Sequence, residues 1–231
     1  MMKTVQTIGL TFGLMASTPV VAQDGFALPA GCSAFVTMQL SSCTVSHHYR
    51  CVGDPDGQKW RADMDEEGLS YVGRTDDEAQ WVESFHMRSA HSEQFGGAVD
   101  PMSFSELVAN GVDTWDFETN SAEIGTSRYA GMDRLTGETV VIDGVSLMRT
   151  EYALTAYGPD GSETWRSSGS EYISTDWRMF VSGISTYVTS DDSFETDNTP
   201  VEFIFPGEAG FLSTSPKYGC GVQMSSYQAT Q

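Results

Sequence analysis

The side chains with chemistry to offer are four histidines, four cysteines and a large excess of carboxylates. Glu83, His86, His91 and Glu93 combine imidazole with carboxylate, ligand types that suit zinc or copper. Their spacing matches no zinc signature, and His and Glu are common on hairpin surfaces. The sequence therefore assigns no metal and no cofactor. His47 and His48 are adjacent, and adjacent residues of a strand point to opposite faces, so the two cannot serve one site from a strand. Hard cations need clustered oxygens on a flexible loop, which Asp54-Pro55-Asp56-Gly57 and the acidic stretch 191–198 both offer. Neither follows the twelve-residue calcium-loop pattern, and both read as turns.

Nucleophilic chemistry has no signature here. The G-x-S-x-G elbow is absent, and no Ser-x-x-Lys occurs beyond residue 22. Phosphate-cradling glycine loops are absent too. Carboxylates are so numerous that no pair stands out for glycosidase-type work. The sequence names no catalytic residue.

The start of the chain has the three zones of a secretory leader: Lys3, an apolar stretch over 5–15, and Pro19-Val20-Val21-Ala22 before Gln23. The apolar part is shorter than the roughly 20 residues that span a bilayer. Cleavage after Ala22 is expected, with a periplasmic or secreted product and no membrane insertion afterwards. Of the 231 residues, 209 would remain, with 11 basic against 32 acidic side chains. So acidic a surface repels phosphate backbones and anionic headgroups, which argues against nucleic acid as a partner. That length suits a single domain over 23–231, its last residues, 210–231, forming a tail anchored by a disulfide.

Cys32, Cys43, Cys51 and Cys220 are an even set, and in an exported chain that predicts two disulfides. Between Cys43 and Cys51 lies Thr-Val-Ser-His-His-Tyr-Arg, rich in strand formers and without a turn residue. As one strand it holds the two cysteines about 26 Å apart at roughly 3.3 Å per residue. A disulfide tolerates Cα atoms only about 4.4–6.8 Å apart. Cys43 with Cys51 is excluded, so Cys220 must reach back to the N-terminal third. Two connectivities remain.

These residues are carried by short strands divided by turn signals. Strands are predicted over 44–52, 58–65, 69–73, 79–88, 126–132, 139–142, 145–157, 163–168, 170–175, 179–189 and 201–205. Asp143-Gly144 and Pro159-Asp160-Gly161 mark two hairpins. In the strand from Val145, Met148, Tyr152 and Leu154 share a face while Arg149 and Glu151 take the other, so one face is buried. A helix is predicted over 102–110, with Asp100 as cap, Pro101 in the first turn, Gly111 at the exit, and Met102, Phe104, Leu107 and Val108 inward. A second helix is expected over 33–40, and 191–200 reads as an acidic loop. The fold class is mainly β: one antiparallel curled sheet, or half-barrel, of about eight to eleven strands with one mid-chain helix. A β-sandwich and a closed barrel are the alternatives.

This order of elements resembles the half-barrel of periplasmic lipoprotein carriers, the LolA-like class. The resemblance rests on Phe203-Ile204-Phe205-Pro206-Gly207, and on Leu107 to Gly111 followed by Trp115-Asp116-Phe117. It covers about residues 33–210. Two departures are the reduced first helix and the four cysteines, and no functional residue carries over. The resemblance implies a binding module that holds a lipid or other apolar ligand in the concave face. Met148, Tyr152, Leu154, Phe203 and Phe205 are the candidate lining, with the helix covering them. Some of Trp60, Trp81, Trp115, Trp165 and Trp177 are also candidates to face that hollow. An envelope assembly protein, with a protein partner, and a secreted hydrolase without a recognisable motif are the competing readings.

Overall fold

The computed structural model describes residues 25–221. The leader, the start at Gln23 and the last ten residues of the tail lie outside the described residues. Among the described residues, thirteen strands and one helix follow one another. They are β1 (Cys32–Leu40), β2 (Thr44–Cys51), β3 (Lys59–Asp65), β4 (Gly68–Thr75), β5 (Trp81–His86) and β6 (His91–Asp100), then α1 (Phe104–Asn110). β7 (Val112–Ser121), β8 (Gly125–Ile142), β9 (Val145–Tyr157), β10 (Glu163–Ser174), β11 (Met179–Val188), β12 (Ser193–Asp197) and β13 (Pro200–Ile204) follow. All strands join one antiparallel sheet that is not closed into a barrel. Each strand pairs with its neighbour in sequence until β13, which crosses back to the free edge of β1.

Four strands, β1, β6, β7 and β12, fall outside the eleven predicted stretches, and two predicted breaks are absent, which brings the count to thirteen. The stretch 33–40 is strand rather than helix. Val36, Met38 and Leu40 alternate with Thr37 and Gln39, the period of two that marks a strand, and both sets are buried. β6, with sequence HSEQFGGAVD, lacks apolar alternation and is held by its pairing with β5 and β7. The acidic stretch 191–200 contains β12, which pairs with β11. The predicted breaks at 133–138 and at Gly169 do not occur. β8 runs through the first with a register shift after Leu135, and β10 runs through the second. Gly169 is needed there because a Cβ would lie 2.0 Å from the carbonyl oxygen of Ile184.

The helix is shorter than predicted. Ser103, not Asp100, caps it, with its Oγ accepting the Glu106 amide at 3.2 Å, and Pro101 precedes it. Asp100 ends β6 and accepts a hydrogen bond from Thr114 instead. Gly111 leaves in the left-handed conformation, φ 79°, as a helix exit requires. α1 buries Phe104 and Leu107, whereas Val108 is 42 % exposed.

Three apolar clusters explain the curl. Phe104 and Leu107 of α1 meet Ile173, with Met148, Leu135 and Phe180 around them. Val36, Met38, Leu40 and Phe203 from β1 and β13 meet Leu147, Tyr172, Met179 and Val181, with Trp177 and Phe205 against them. Consecutive residues of a strand face opposite ways, so the pairs Leu147/Met148 and Tyr172/Ile173 show β9 and β10 buried on both faces. Helix lies on one side and the first edge of the sheet on the other. The third cluster, around Trp115, Phe117, Tyr129 and Leu154, lies on the helix side, where Leu154 shares a face of β9 with Met148.

Cys32 is bonded to Cys51, its cross-strand partner, and Cys43 to Cys220. The excluded pairing is absent, and Cys220 does reach the N-terminal third. The C-terminal segment then lies along β1: Lys217 N–H donates to Gln39 Oε1 at 2.9 Å and Leu212 N–H to Thr37 Oγ1 at 3.1 Å. Phe26 stacks on His47 with ring centroids 4.8 Å apart. Burial pushes the His47 imidazole down to about 4, with Asp63 and a backbone hydrogen bond opposing. His47 therefore belongs to a covered outer seam.

Candidate functional site

The inner face of the sheet carries a cavity of about 240 Å3. Register decides what faces it. Arg61 and Asp63 on β3 stand two apart on one face, and Tyr71 and Gly73 lie opposite them on β4. A register shift between β4 and β5 sets Trp81 opposite Thr75, leaving Val82 unpaired, so Trp81 rejoins the face that Ser84 occupies opposite Gly73. Glu93, Trp115, Asp133, Leu154 and Glu171 complete the hollow from β6, β7, β8, β9 and β10.

The wall is aromatic and the floor is ionisable. Trp115 lies across Gly131, its cross-strand partner; a Cβ there would come within 2.6 Å of the indole and 2.3 Å of the Ala153 carbonyl oxygen. That absence of a side chain lets the Trp115 indole Nε1–H donate to Asp133 Oδ2 at 2.8 Å. Trp81 packs edge-on to Phe117 and Tyr129. Phe180 stands edge-on to Phe104 of the helix.

Arg61 lines the cavity and keeps 38 % of its side-chain surface accessible. Its Nε donates to Asp63 Oδ1 at 2.8 Å, and Ser46 Oγ donates to the same oxygen at 2.6 Å. Burial alone would raise the Asp63 carboxyl, but the guanidinium and these hydrogen bonds hold it below the usual range. Burial pushes the neighbouring His48 down to about 3, so its imidazole is neutral.

Two carboxyls go the other way. Burial, reinforced by repulsion from Asp133, pushes Glu171 up to about 8 against the attraction of Arg61. Burial pushes Asp133 up to about 6, with the Trp115 hydrogen bond opposing and Asp113 adding to it. Near neutrality Glu171 therefore holds a proton while Asp133 is mostly charged. The two titrate as a coupled pair. Such a site accepts hydrogen bonds through Asp133, donates one through Glu171, and offers π faces beside them.

The candidate ligand residues fall in three places. Tyr152 and Leu154 line the cavity, the Tyr152 hydroxyl lying 2.7 Å from both Ser167 Oγ and Ser185 Oγ. Met148 packs beneath α1, and Phe203 and Phe205 pack against Trp177 on the far side of β9 and β10. Of the five tryptophans, Trp81 and Trp115 turn their rings to the hollow. Trp60 borders it but stacks on Tyr49 and donates to Asp54, Trp165 packs on the third cluster, and Trp177 is core. Arg61, Asp133 and Glu171 were not singled out from the sequence. The one available signal was a carboxylate on a face shared with apolar residues: Glu171 alternates with Ile173 and Trp165, and Asp133 with Tyr129. The acidic loop at Asp54 serves structure, accepting from Trp60 and Arg74. Comparison of the chain with protein-family models, with curated proteins and with solved structures finds no match.

Proposed function

We propose that this protein is a binding module working outside the cytoplasm, which takes a small molecule into the concave face of its curled sheet. The ligand has a flat apolar body and a cationic or hydrogen-bond-donating head. The observation that carries this reading is the convergence of Trp81 and Trp115 with Asp133 and Glu171 on one cavity. Small-molecule sites are mostly apolar hollows with a few polar groups that fix orientation. Tryptophan faces attract cations, and a desolvated carboxylate strengthens that preference. Anions are disfavoured, because the cations that line the cavity are already paired: Arg61 with Asp63, Arg74 with Asp54 and Glu83, and Lys59 with Asp77. Two disulfides support an oxidising compartment, as does the leader read from the sequence.

The resemblance to lipoprotein carriers supports the same class of function with a lipid as cargo. The cavity, smaller than the roughly 300–1,000 Å3 usual for ligand sites, favours a smaller body than several acyl chains. A hydrolase is the second reading, favoured by the protonated Glu171 beside the charged Asp133, a pairing suited to acid–base work.

Tryptophan fluorescence, titrated with benzyltrimethylammonium, phenylacetate and palmitate, separates these readings. Saturable quenching by the cation, weakened in Trp115→Phe, is expected, with no response to phenylacetate. A response to palmitate alone moves the reading to a lipid carrier. Equal responses to cation and anion, or none, overturn the proposed site. Native mass spectrometry of protein from its own compartment should find one bound molecule and a chain beginning at Gln23.

A further inference from the structure

Apart from the acids of the cavity floor, one cluster of side chains has a geometry the binding reading does not use. His86 ends β5, His91 begins β6, and the tight hairpin 87–90 makes them direct cross-strand partners. Their rings stack with centroids 4.3 Å apart. Glu93, two residues on and therefore on the same face, brings Oε2 to 3.4 Å from His86 Nε2 and 4.0 Å from His91 Nε2. One ligand atom from each of the three residues lies within 4.8 Å of the others. Glu83, the fourth member of the sequence group, instead pairs with Arg74.

We propose that His86, His91 and Glu93 form a binding site for a divalent transition metal of the zinc class. Bonds of about 2.0–2.1 Å at tetrahedral angles place ligand atoms roughly 3.3 Å apart. The His86–Glu93 separation already meets that spacing, and small side-chain rotations bring in His91. Two imidazoles and a carboxylate are a donor set that zinc accepts, and three protein ligands leave a fourth position open.

The glutamate is also held as a ligand should be. Thr119 Oγ1 and the Tyr129 hydroxyl donate to Oε1 at 2.7 and 2.9 Å, which leaves Oε2 aimed at the imidazoles. Such outer hydrogen bonds orient a metal ligand and are worth about 10–100-fold in affinity. Ser84 Oγ, 3.2 Å from His86 Nε2, must give way when metal binds. Glu93 and Ser84 also line the cavity, so the open position borders the hollow. Among the described residues the other close group, Cys43, Glu66 and Cys220, has its thiols tied in a disulfide and offers no thiolate.

The test is isothermal titration of chelator-stripped, disulfide-intact protein with zinc near neutral pH, repeated with cobalt while visible absorption is recorded. One metal per chain is expected, with the d–d absorption of a low-coordinate cobalt site. His86→Ala/His91→Ala and Glu93→Gln should each lower zinc affinity more than about tenfold and abolish that absorption, while Thr119→Ala gives a smaller loss. Wild-type protein that takes up no zinc overturns the proposal by itself. Zinc binding undiminished in the double histidine variant, a sign of loading on surface carboxylates, overturns it as well.

Discussion

Glu171→Gln is the substitution that most directly tests the electrostatics of the cavity. In the folded protein the carboxyl titrates at about 8, against its ordinary value of 4.5. Between these values the native state keeps a proton that the unfolded chain has released. Stability therefore declines as pH rises through the window, at about 1.4 kcal/mol per unit for a fully protonated native group. The loss reaches about 3 kcal/mol near pH 7 and about 5 kcal/mol once pH passes 8. These are upper values, because the carboxyl faces a cavity instead of packed side chains. Glutamine keeps the shape and polarity of the protonated acid and carries no charge, so the variant should match wild type near pH 4–5 and exceed it progressively above. Urea denaturation of both proteins across this range reads the difference directly. Protonation of His48 and the other shared groups largely cancels in that difference, leaving the Glu171 contribution and its coupling to Asp133. A wild-type-minus-variant difference that stays flat from acid to pH 8 would falsify the burial of this carboxyl beside Asp133.

Non-reducing peptide mapping should recover Cys32–Cys51 and Cys43–Cys220, and removing the second, which spans 177 residues, should cost about 5 kcal/mol in the chain-entropy model. Removing the first, across 19 residues, should cost about 3 kcal/mol. Gly131→Ala drives a methyl into the Trp115 ring and the Ala153 carbonyl, so a loss of about 1–3 kcal/mol and altered tryptophan fluorescence are expected, whereas unchanged emission would mean that Trp115 does not lie across that glycine.

Much of the scaffold was legible because strands announce themselves locally. β9 was read at its observed ends, and Asp143-Gly144 does turn β8 into β9. The exclusion of Cys43 with Cys51 needed only the length of an extended chain. Elements were missed where the local signal is weak. β1 is an exception, because Val36, Met38 and Leu40 alternate with Thr37 and Gln39, a period of two that reads as strand rather than helix. β6 and β12 are polar strands held by backbone pairing with their neighbours.

The candidate sites lay further from view. A period of two divides each strand into two faces without saying which face the curl encloses. Phe203 and Phe205 have the pattern of an inner face, yet β13 crosses to β1 and packs behind β9 and β10. Burial of a carboxylate is likewise a property of its surroundings, and Glu171 becomes an acid near 8 because the fold buries it and β8 brings Asp133 beside it, against the attraction of Arg61. The histidines mark the limit most clearly. Sequence spacing placed Glu83, His86, His91 and Glu93 in one stretch, but register alone decides that three of them meet and that the fourth turns to Arg74. Local residue patterns determined which segments extend and where they reverse. Only the pairing of distant strands decided which side chains share a volume, because that depends on contacts between residues far apart in the chain.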